Sequence, residues 1–136
     1  MQGYNVIAVL DPSGEKWLMC RRRKEPYKGK YNLVGGKIEP GEDGLAAAYR
    51  ELWEETALTR EQIRLEHLMD FTYYAGDCYM EVYAGRLSSP AEVSGEENEL
   101  CWMDLNQNFF DEARFAGEGN LGHILAHIRL AEKMQR

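Results

Sequence analysis

The chain has 136 residues, of which 44% are hydrophobic and 29% are charged, and its formal net charge is −7 at pH 7. This size and composition are typical of one globular domain with a buried core, and no apolar run approaches the ~20 residues of a membrane span. The acidic balance argues against a polynucleotide-binding surface, which depends on clustered Lys and Arg. We therefore expect a single cytoplasmic domain over residues 1–136 that has no membrane association.

The first predicted element is a β-hairpin. Residues 4–10 are mostly β-branched or apolar, and residues 15–21 alternate around Trp17. Between them, Asp11-Pro12-Ser13-Gly14 has a favoured residue type at the first, second and fourth positions of a turn. The hairpin leads into residues 21–30, which carry six basic side chains. This segment is either a solvated loop or a loop whose cations face the phosphates of a substrate.

A short strand over residues 31–34 comes next, followed by a glycine-rich loop and a helix. Three glycines and a proline within residues 35–41 predict the loop. Either Glu42 or Asp43 can cap the helix that follows. Apolar and small residues recur along one face of this helix, which we expect to be buried: Leu45, Ala48, Tyr49, Leu52 and Thr56.

Three glutamates, Glu51, Glu54 and Glu55, project together beside that apolar face, because positions three and four apart are neighbours on a helix. Carboxylates this close repel one another. The cluster is either a solvated acidic face or a set of ligands for a hard divalent cation, which prefers oxygen ligands.

The spacing of these residues resembles the Nudix box. Gly36 is followed after five residues by Glu42, and after seven more by Arg50-Glu51-Leu52-x-Glu54-Glu55-x-Ala57-Leu58. Ala57 alone departs from the family pattern, which has glycine there. An alanine at this helix end costs roughly 1 kcal/mol in the left-handed conformation or makes the chain leave by another route. The resemblance implies the α+β Nudix fold, an α/β/α sandwich with a mixed β-sheet and the box as a loop-helix-loop.

Beyond the box, the sequence predicts a second hairpin, a polar loop, a last strand and a final helix. The hairpin strands are residues 65–74 and 78–87, joined by Ala75-Gly76-Asp77. A polar loop over residues 88–98 precedes the strand at residues 102–105. Asn120 opens the final helix, either as its N-cap or, by resemblance to MutT-like members of the family, as a residue that recognises a purine.

The resemblance also implies a metal site. Glu51, Glu54 and Glu55 would hold Mg²⁺, with Mn²⁺ as a substitute, together with a carbonyl of Gly35 or Gly36. The acidic cluster before Trp102 resembles the place of one more metal-associated glutamate. We favour Glu96, with Glu97 and Glu99 as rivals and a solvated loop as the alternative.

The same resemblance assigns roles in the reaction. We assign Glu51 as the general base, although some family members use a glutamate on a later loop, and we place Glu54 and Arg50 with the catalytic residues. Glu42 and Arg50 are interpreted as a structural pair that ties the loop to the helix. Five residues are predicted to bind substrate: Arg21, Arg23, Asn32, Lys37 and Asn120.

The expected function is hydrolysis of a nucleoside diphosphate-linked small molecule. A purine nucleoside triphosphate such as 8-oxo-dGTP is favoured, with release of the monophosphate and pyrophosphate. One alternative is a dinucleoside polyphosphate, for which Tyr73 or Tyr74 is the family's indication, or a nucleotide sugar. Another is a non-catalytic nucleotide-sensing module. The aromatic strands could also form the edge of a homodimer.

Overall fold

The computed structural model describes residues 1–134 and contains six strands and two helices. The strands pair in one mixed sheet, in which β1 runs parallel to β5 and the other strand pairs are antiparallel. Both predicted hairpins are confirmed, and the last strand begins at Glu99 instead of Trp102. The elements are β1 (Gln2–Leu10), β2 (Lys16–Arg21), β3 (Tyr31–Leu33), α1 (Gly44–Thr56), β4 (Glu66–Tyr73), β5 (Cys78–Arg86), β6 (Glu99–Asp104) and α2 (Asn120–Met134).

Strand β1 supplies both hydrophobic cores, because successive side chains of a strand point to opposite faces of the sheet. Ala8 and Leu10 belong to the core that includes residues of α2. Ile7 and Val9 belong to the core that includes Ala48 and Leu52 of α1, with each of these four side chains fully buried. The predicted α/β/α sandwich is therefore confirmed.

Helix α1 begins and ends with identifiable caps. Asp43 is the N-cap, and its Oδ2 accepts a hydrogen bond from the backbone N–H of Ala46 at 3.1 Å. Ala57 follows the helix in the left-handed conformation (φ 66°), and its N–H donates to the Trp53 carbonyl at 2.9 Å. The chain thus leaves the helix as it would with glycine, at a conformational cost of roughly 1 kcal/mol.

The predicted buried face of α1 is wrong at its first residue. Leu45 is 37% exposed, whereas Leu52 and Thr56 are fully buried. Gly44 takes the inward position of the first turn, where a Cβ would lie 2.0 Å from a carboxylate oxygen of Glu81. Leu45, about 100° further round the helix, therefore points away from the sheet.

Strand β4 lies at one edge of the sheet and pairs with β5 alone. The edge carries Glu66, His67 and Asp70, and its register shifts between His67 and Met69. Charged side chains and irregular pairing disfavour edge-to-edge association. The homodimer stays a prediction, as does the single domain over residues 1–136, whose last two residues lie outside the described part. None of the helices described within residues 1–134 has the length and apolar character needed to cross a membrane.

Candidate active site

The glycine loop lies along β1, to which it is joined by hydrogen bonds. The N–H of Asn5 donates to the Gly36 carbonyl at 2.8 Å, and the Gly36 N–H donates to Oδ1 of Asn5 at 2.9 Å. Gly35 has φ 151°, and a Cβ there would lie 2.1 Å from the Asn5 carbonyl oxygen, so only glycine fits. Within residues 1–134 no hydrogen bond reaches the Gly35 carbonyl. Of the two predicted carbonyl ligands, Gly35 is therefore the open one.

The box glutamates line an acidic cavity of about 260 Å³. Glu51, Glu54 and Glu55 project into it from α1, and Glu96 and Glu97 reach it from the loop before β6. Glu99 does not line this cavity. The other residues that line the acidic cavity are Cys20, Asn98 and Leu100. The structure thus brings the favoured loop glutamate, Glu96, together with the box carboxylates, and places Glu97 beside it.

The carboxylates in this cavity are held by the protein's own donors. Nη1 of Arg50 contacts Glu51 at 3.0 Å and Glu54 at 3.3 Å, and the N–H of Gly35 donates to Oε2 of Glu55 at 3.1 Å. Burial raises the pKa of Glu55 to about 7, against the opposing effect of the Gly35 N–H, with the negative charge of Glu51 adding to the rise. Burial also raises the pKa of Glu51, although Arg50 opposes it. Both shifts come mainly from burial, which disfavours the charged form of a carboxyl group.

The residues around the cavity fit a hard divalent cation by type, since they offer carboxylate oxygens and the open carbonyl of Gly35. They also pack closely, because a Cβ on Gly36 would lie 2.4 Å from the Glu51 carboxyl carbon. Among the described residues, no group of three or more His, Cys, Asp and Glu side chains already has a metal-holding arrangement. Arg50 contacts Oε1 of Glu51 and Oε2 of Glu54, and within residues 1–134 the second carboxylate oxygen of each has no hydrogen bond and could meet a cation. The Mg²⁺ site stays a prediction.

Glu42 and Arg50 form a bidentate ion pair between the loop and α1. Nε of Arg50 lies 2.8 Å from Oε2 of Glu42, and Nη2 lies 2.9 Å from Oε1. Nη2 also donates to the Lys37 carbonyl at 3.0 Å. Two parallel hydrogen bonds fix the geometry as well as the charge. The arrangement has the form expected of the predicted structural pair.

This ion pair should make stability depend on pH in the acid range. The hydrogen bonds from Arg50 lower the pKa of Glu42 from 4.5 to about 2. A carboxyl whose pKa is lower in the folded state stabilises the fold above pH 4.5 and loses that contribution as the pH falls to about 2. We expect the difference in free energy of unfolding between wild type and Glu42→Gln to shrink across this window, as measured by urea denaturation.

Glu39→Gln is the matched control, because Glu39 is an exposed residue of the same loop and its side chain has no hydrogen-bond or ion-pair partner within residues 1–134. Its stability should follow the wild type at every pH. If the difference in free energy of unfolding between wild type and Glu42→Gln stays constant from pH 5 to about pH 2, the proposed dependence of stability on the protonation of Glu42 is contradicted.

A second cavity, of about 360 Å³ and largely apolar, shares no lining residue with the acidic one. It is bounded by residues of α2, the β4–β5 hairpin and β3, and it contains both predicted purine-binding asparagines, Asn32 and Asn120. Asn120 is the first residue of α2, and its Nδ2 donates to the Tyr73 hydroxyl. The predicted N-cap role is therefore wrong, because the side chain is directed to the cavity instead of the helix end. Lys37 lines neither cavity.

A match to a family model decides which protein family the chain belongs to. Residues 1–126 match the family model described as the NUDIX domain. The chain belongs to the Nudix family. The resemblance seen in the spacing of the box is thereby confirmed.

Curated and solved Nudix relatives resemble the chain at low to moderate identity. The human protein named "Nucleoside diphosphate-linked moiety X motif 6" is 33% identical over 105 residues, covering 73% of this chain and 33% of that protein. The Danio rerio "Oxidized purine nucleoside triphosphate hydrolase" is 27% identical over 109 residues, covering 79% of this chain and 69% of that protein. The first curated relatives are thus matched over about a third of their length.

Among solved structures, a C. elegans Ap4A hydrolase in a binary complex superposes with a TM-score of 0.75. It is 18% identical, and the match covers 98% of each chain. At that identity the likeness shows the Nudix fold alone.

The basic loop of this Nudix domain, residues 21–30, does not bring the two arginines predicted to bind substrate to the acidic cavity. Arg21 lies over the Tyr31 ring, 5.9 Å from its centroid, and Arg23 is exposed while its backbone N–H donates to Oδ1 of Asn98 at 3.1 Å. Neither side chain lines the acidic cavity. Arg22, which sequence reasoning did not single out, is half-buried, and its Nε donates to the Pro26 carbonyl at 2.9 Å. Because side chains alternate along a strand, Arg22 falls on the same face as Cys20, and this pattern could have predicted its half-buried position.

Two further residues of the apolar cavity were missed from the sequence. The Tyr27 hydroxyl contacts both carboxylate oxygens of Glu118, at 2.7 and 2.8 Å, across the cavity margin. The two cavities border neighbouring strands, because Cys20 of β2 lines the acidic one and its cross-strand partner Asn32 of β3 lines the apolar one. This places a carboxylate-rich site beside an apolar pocket with polar groups at its margin.

Proposed function

We propose that the chain hydrolyses nucleoside diphosphate-linked substrates in a divalent-metal-dependent reaction, and that its substrate is a purine nucleoside triphosphate of the 8-oxo-dGTP type. The products would be the nucleoside monophosphate and pyrophosphate. The observation that carries the proposal is the adjacency of the two cavities. One gathers the box carboxylates with Glu96 and Glu97, which suits a phosphate chain accompanied by cations, and the other suits a base.

In this proposal Glu51 is the general base. Its side chain is 14% exposed and lines the acidic cavity, and burial raises its pKa from the ordinary value. Water adds to phosphorus, the bond to the pyrophosphate breaks, and Glu51 accepts the proton. Arg50 orients Glu51 through the 3.0 Å contact. When bound, Mg²⁺ supplies charge neutralisation and Lewis acidity.

The polar groups of the apolar cavity favour a guanine-type base. Oδ1 of Asn32 already accepts from the Leu33 N–H at 2.9 Å, and Nδ2 of Asn120 is committed to Tyr73. The groups that remain are two acceptors, the Glu118 carboxylate and Oδ1 of Asn120, and one donor, Nδ2 of Asn32. A guanine-type edge presents a ring N–H next to an exocyclic amino group, whereas adenine lacks that ring N–H. The pocket therefore complements guanine better than adenine.

A dinucleoside polyphosphate is the second candidate, favoured by one observation. Tyr73 lines the apolar cavity, and its hydroxyl contacts Asn120. Tyr74 is 84% exposed and lines neither cavity, so Tyr73 is the tyrosine that could meet a base. A sensor without catalysis is disfavoured because every box carboxylate is present.

The proposal is tested by incubating the purified protein with Mg²⁺ and a panel of nucleotides, followed by chromatography of the products. The panel contains canonical and oxidised nucleoside triphosphates, dinucleoside polyphosphates and nucleotide sugars. Selective conversion of an oxidised purine triphosphate to its monophosphate supports the proposal. Turnover of dinucleotides alone would favour the second candidate, and binding without turnover, even with Mn²⁺, would favour a sensor.

Glu118→Gln should reduce the preference for guanine-type substrates. The change replaces a charged acceptor by a neutral amide while keeping an oxygen for the Tyr27 hydroxyl. Hydrogen bonds to charged groups contribute ~1.5–3 kcal/mol, so kcat/KM for the oxidised purine triphosphate should fall by about 10- to 100-fold. The matched control is Glu112→Gln, an exposed residue outside the cavity. An equal fall for adenine nucleotides would show that Glu118 does not select the base.

A further inference from the structure

Asn5 is a buried polar residue in a strand whose other inward positions are apolar. It is 3% exposed. Because side chains alternate along β1, Asn5 lies on the same face as Ile7 and Val9, the face that packs against α1. An apolar residue would extend that core without interruption, so the amide has no explanation in packing.

The contacts of Asn5 are concentrated on the glycine loop. Its N–H donates to the Gly36 carbonyl at 2.8 Å, and its Oδ1 accepts from the Gly36 N–H at 2.9 Å. Its own carbonyl occupies the space where a Cβ of Gly35 would stand. One residue therefore holds both backbone polar groups of Gly36 and restricts Gly35.

This clamp leaves part of the Asn5 side chain unsatisfied. Nδ2 is buried and has no hydrogen-bond partner within residues 1–134. Turning the amide over would not help, because it would set Nδ2 against the Gly36 N–H, a donor against a donor. A buried donor without a partner destabilises the fold, and such a group calls for an explanation in function.

The glycine loop that Asn5 holds is in direct contact with the carboxylates of the acidic cavity. Gly36 lies against the Glu51 carboxylate, and the Gly35 N–H bonds to Glu55. We infer that Asn5 is a positioning residue for the metal site: by clamping Gly36 it keeps the glycine loop against Glu51 and Glu55. The inference rests on the proposed function, in that these carboxylates are taken to bind a divalent cation.

The test is Mn²⁺ binding without nucleotide, measured by calorimetry and by electron paramagnetic resonance on the intact protein. Asn5→Val removes the side-chain clamp and suits a strand. Residues that orient metal ligands typically change affinity by 10- to 100-fold, so we expect Mn²⁺ to bind about tenfold or more weakly to Asn5→Val. Its thermal stability in chelator should stay close to that of the wild type, because the unsatisfied Nδ2 is gone while the Gly36 N–H loses its acceptor.

Two further variants make the result specific. Val9→Ala opens a buried site on the same face of β1 away from the loop, and it should bind Mn²⁺ like the wild type despite lower stability. Asn5→Asp keeps an acceptor for the Gly36 N–H and should retain at least wild-type affinity. If Asn5→Val does not fold, Asn5→Ala replaces it. The inference would be overturned if folded Asn5→Val or Asn5→Ala bound Mn²⁺ with wild-type affinity. It would also be overturned if Val9→Ala weakened Mn²⁺ binding by the same factor.

Nucleotide turnover by the wild type is measured separately, so that the proposed function and the positioning role of Asn5 can fail independently. A wild type that binds Mn²⁺ but converts no nucleotide contradicts the proposed function and leaves the comparison of Asn5 variants valid. A wild type that turns over substrate while Asn5→Val keeps full Mn²⁺ affinity supports the function and overturns the role of Asn5. A wild type that binds no Mn²⁺ overturns that role as well.

Discussion

Glu51→Gln is expected to lower kcat for nucleotide hydrolysis by about 10²–10⁴-fold, the usual contribution of a general base. The amide cannot accept a proton but keeps the size of the carboxylate and an oxygen for Arg50. The fold should not suffer, because burial disfavours the charge that the substitution removes. Steady-state kinetics at pH 8 and thermal unfolding of the same sample measure both effects.

The control for this variant is Glu61→Gln, an exposed glutamate just after the box that lies outside the acidic cavity. It should keep wild-type kcat. If Glu51→Gln retains activity within about threefold, the assignment of the base is wrong, since a base contributes far more than that. Glu96 and Glu97, the loop carboxylates of the same cavity, would then be the next variants.

Gly36→Ala should cost about 10²-fold in activity while leaving the fold intact. The added methyl would lie 2.4–2.6 Å from the carboxylate atoms of Glu51, which must move aside. The moving group is the end of a flexible side chain, so stability should change little. A displacement of about 1 Å at a reacting group is enough for a loss of that size. The measurements are kcat/KM and Mn²⁺ affinity.

Gly41→Ala is the matched control in the same loop. Gly41 has φ 79°, and nothing lies within 4 Å of its Cβ position, so alanine there brings backbone strain of roughly 1 kcal/mol without touching Glu51. It should unfold at lower temperature and remain active. Equal loss of activity in both variants would attribute the effect of Gly36→Ala to loop strain instead of to displacement of Glu51.

Local patterns predicted the elements that depend on neighbours in sequence. The turn at residues 11–14 lies between β1 and β2, and the loop-helix pair of Glu42 and Arg50 forms across eight positions. Helical spacing also brought Glu51, Glu54 and Glu55 to one cavity. Each of these features is set within a few turns of chain, where residue type and periodicity carry the information.

Features that depend on distant parts of the chain were not predicted. Tyr27 and Glu118 are 91 positions apart, and Asn5 and Gly36 are 31 apart. No local pattern pairs them, because only the stacking of the sheet and helices brings them together. The exposure of Leu45 was missed for a related reason, since the periodicity of α1 does not show that Gly44 takes the inward position of its first turn.

The separation of the two cavities has an evolutionary consequence. The acidic cavity is built largely from α1 and the loop before β6, whereas the apolar cavity is built largely from α2, the segment preceding it and the β4–β5 hairpin. Under the proposed function, substitutions at Glu118 or Asn120 would redirect substrate choice while the carboxylates of the acidic cavity are inherited unchanged. Duplicated copies of such a gene could diverge in specificity by short mutational paths, and laboratory selection for new substrates should begin at the same positions.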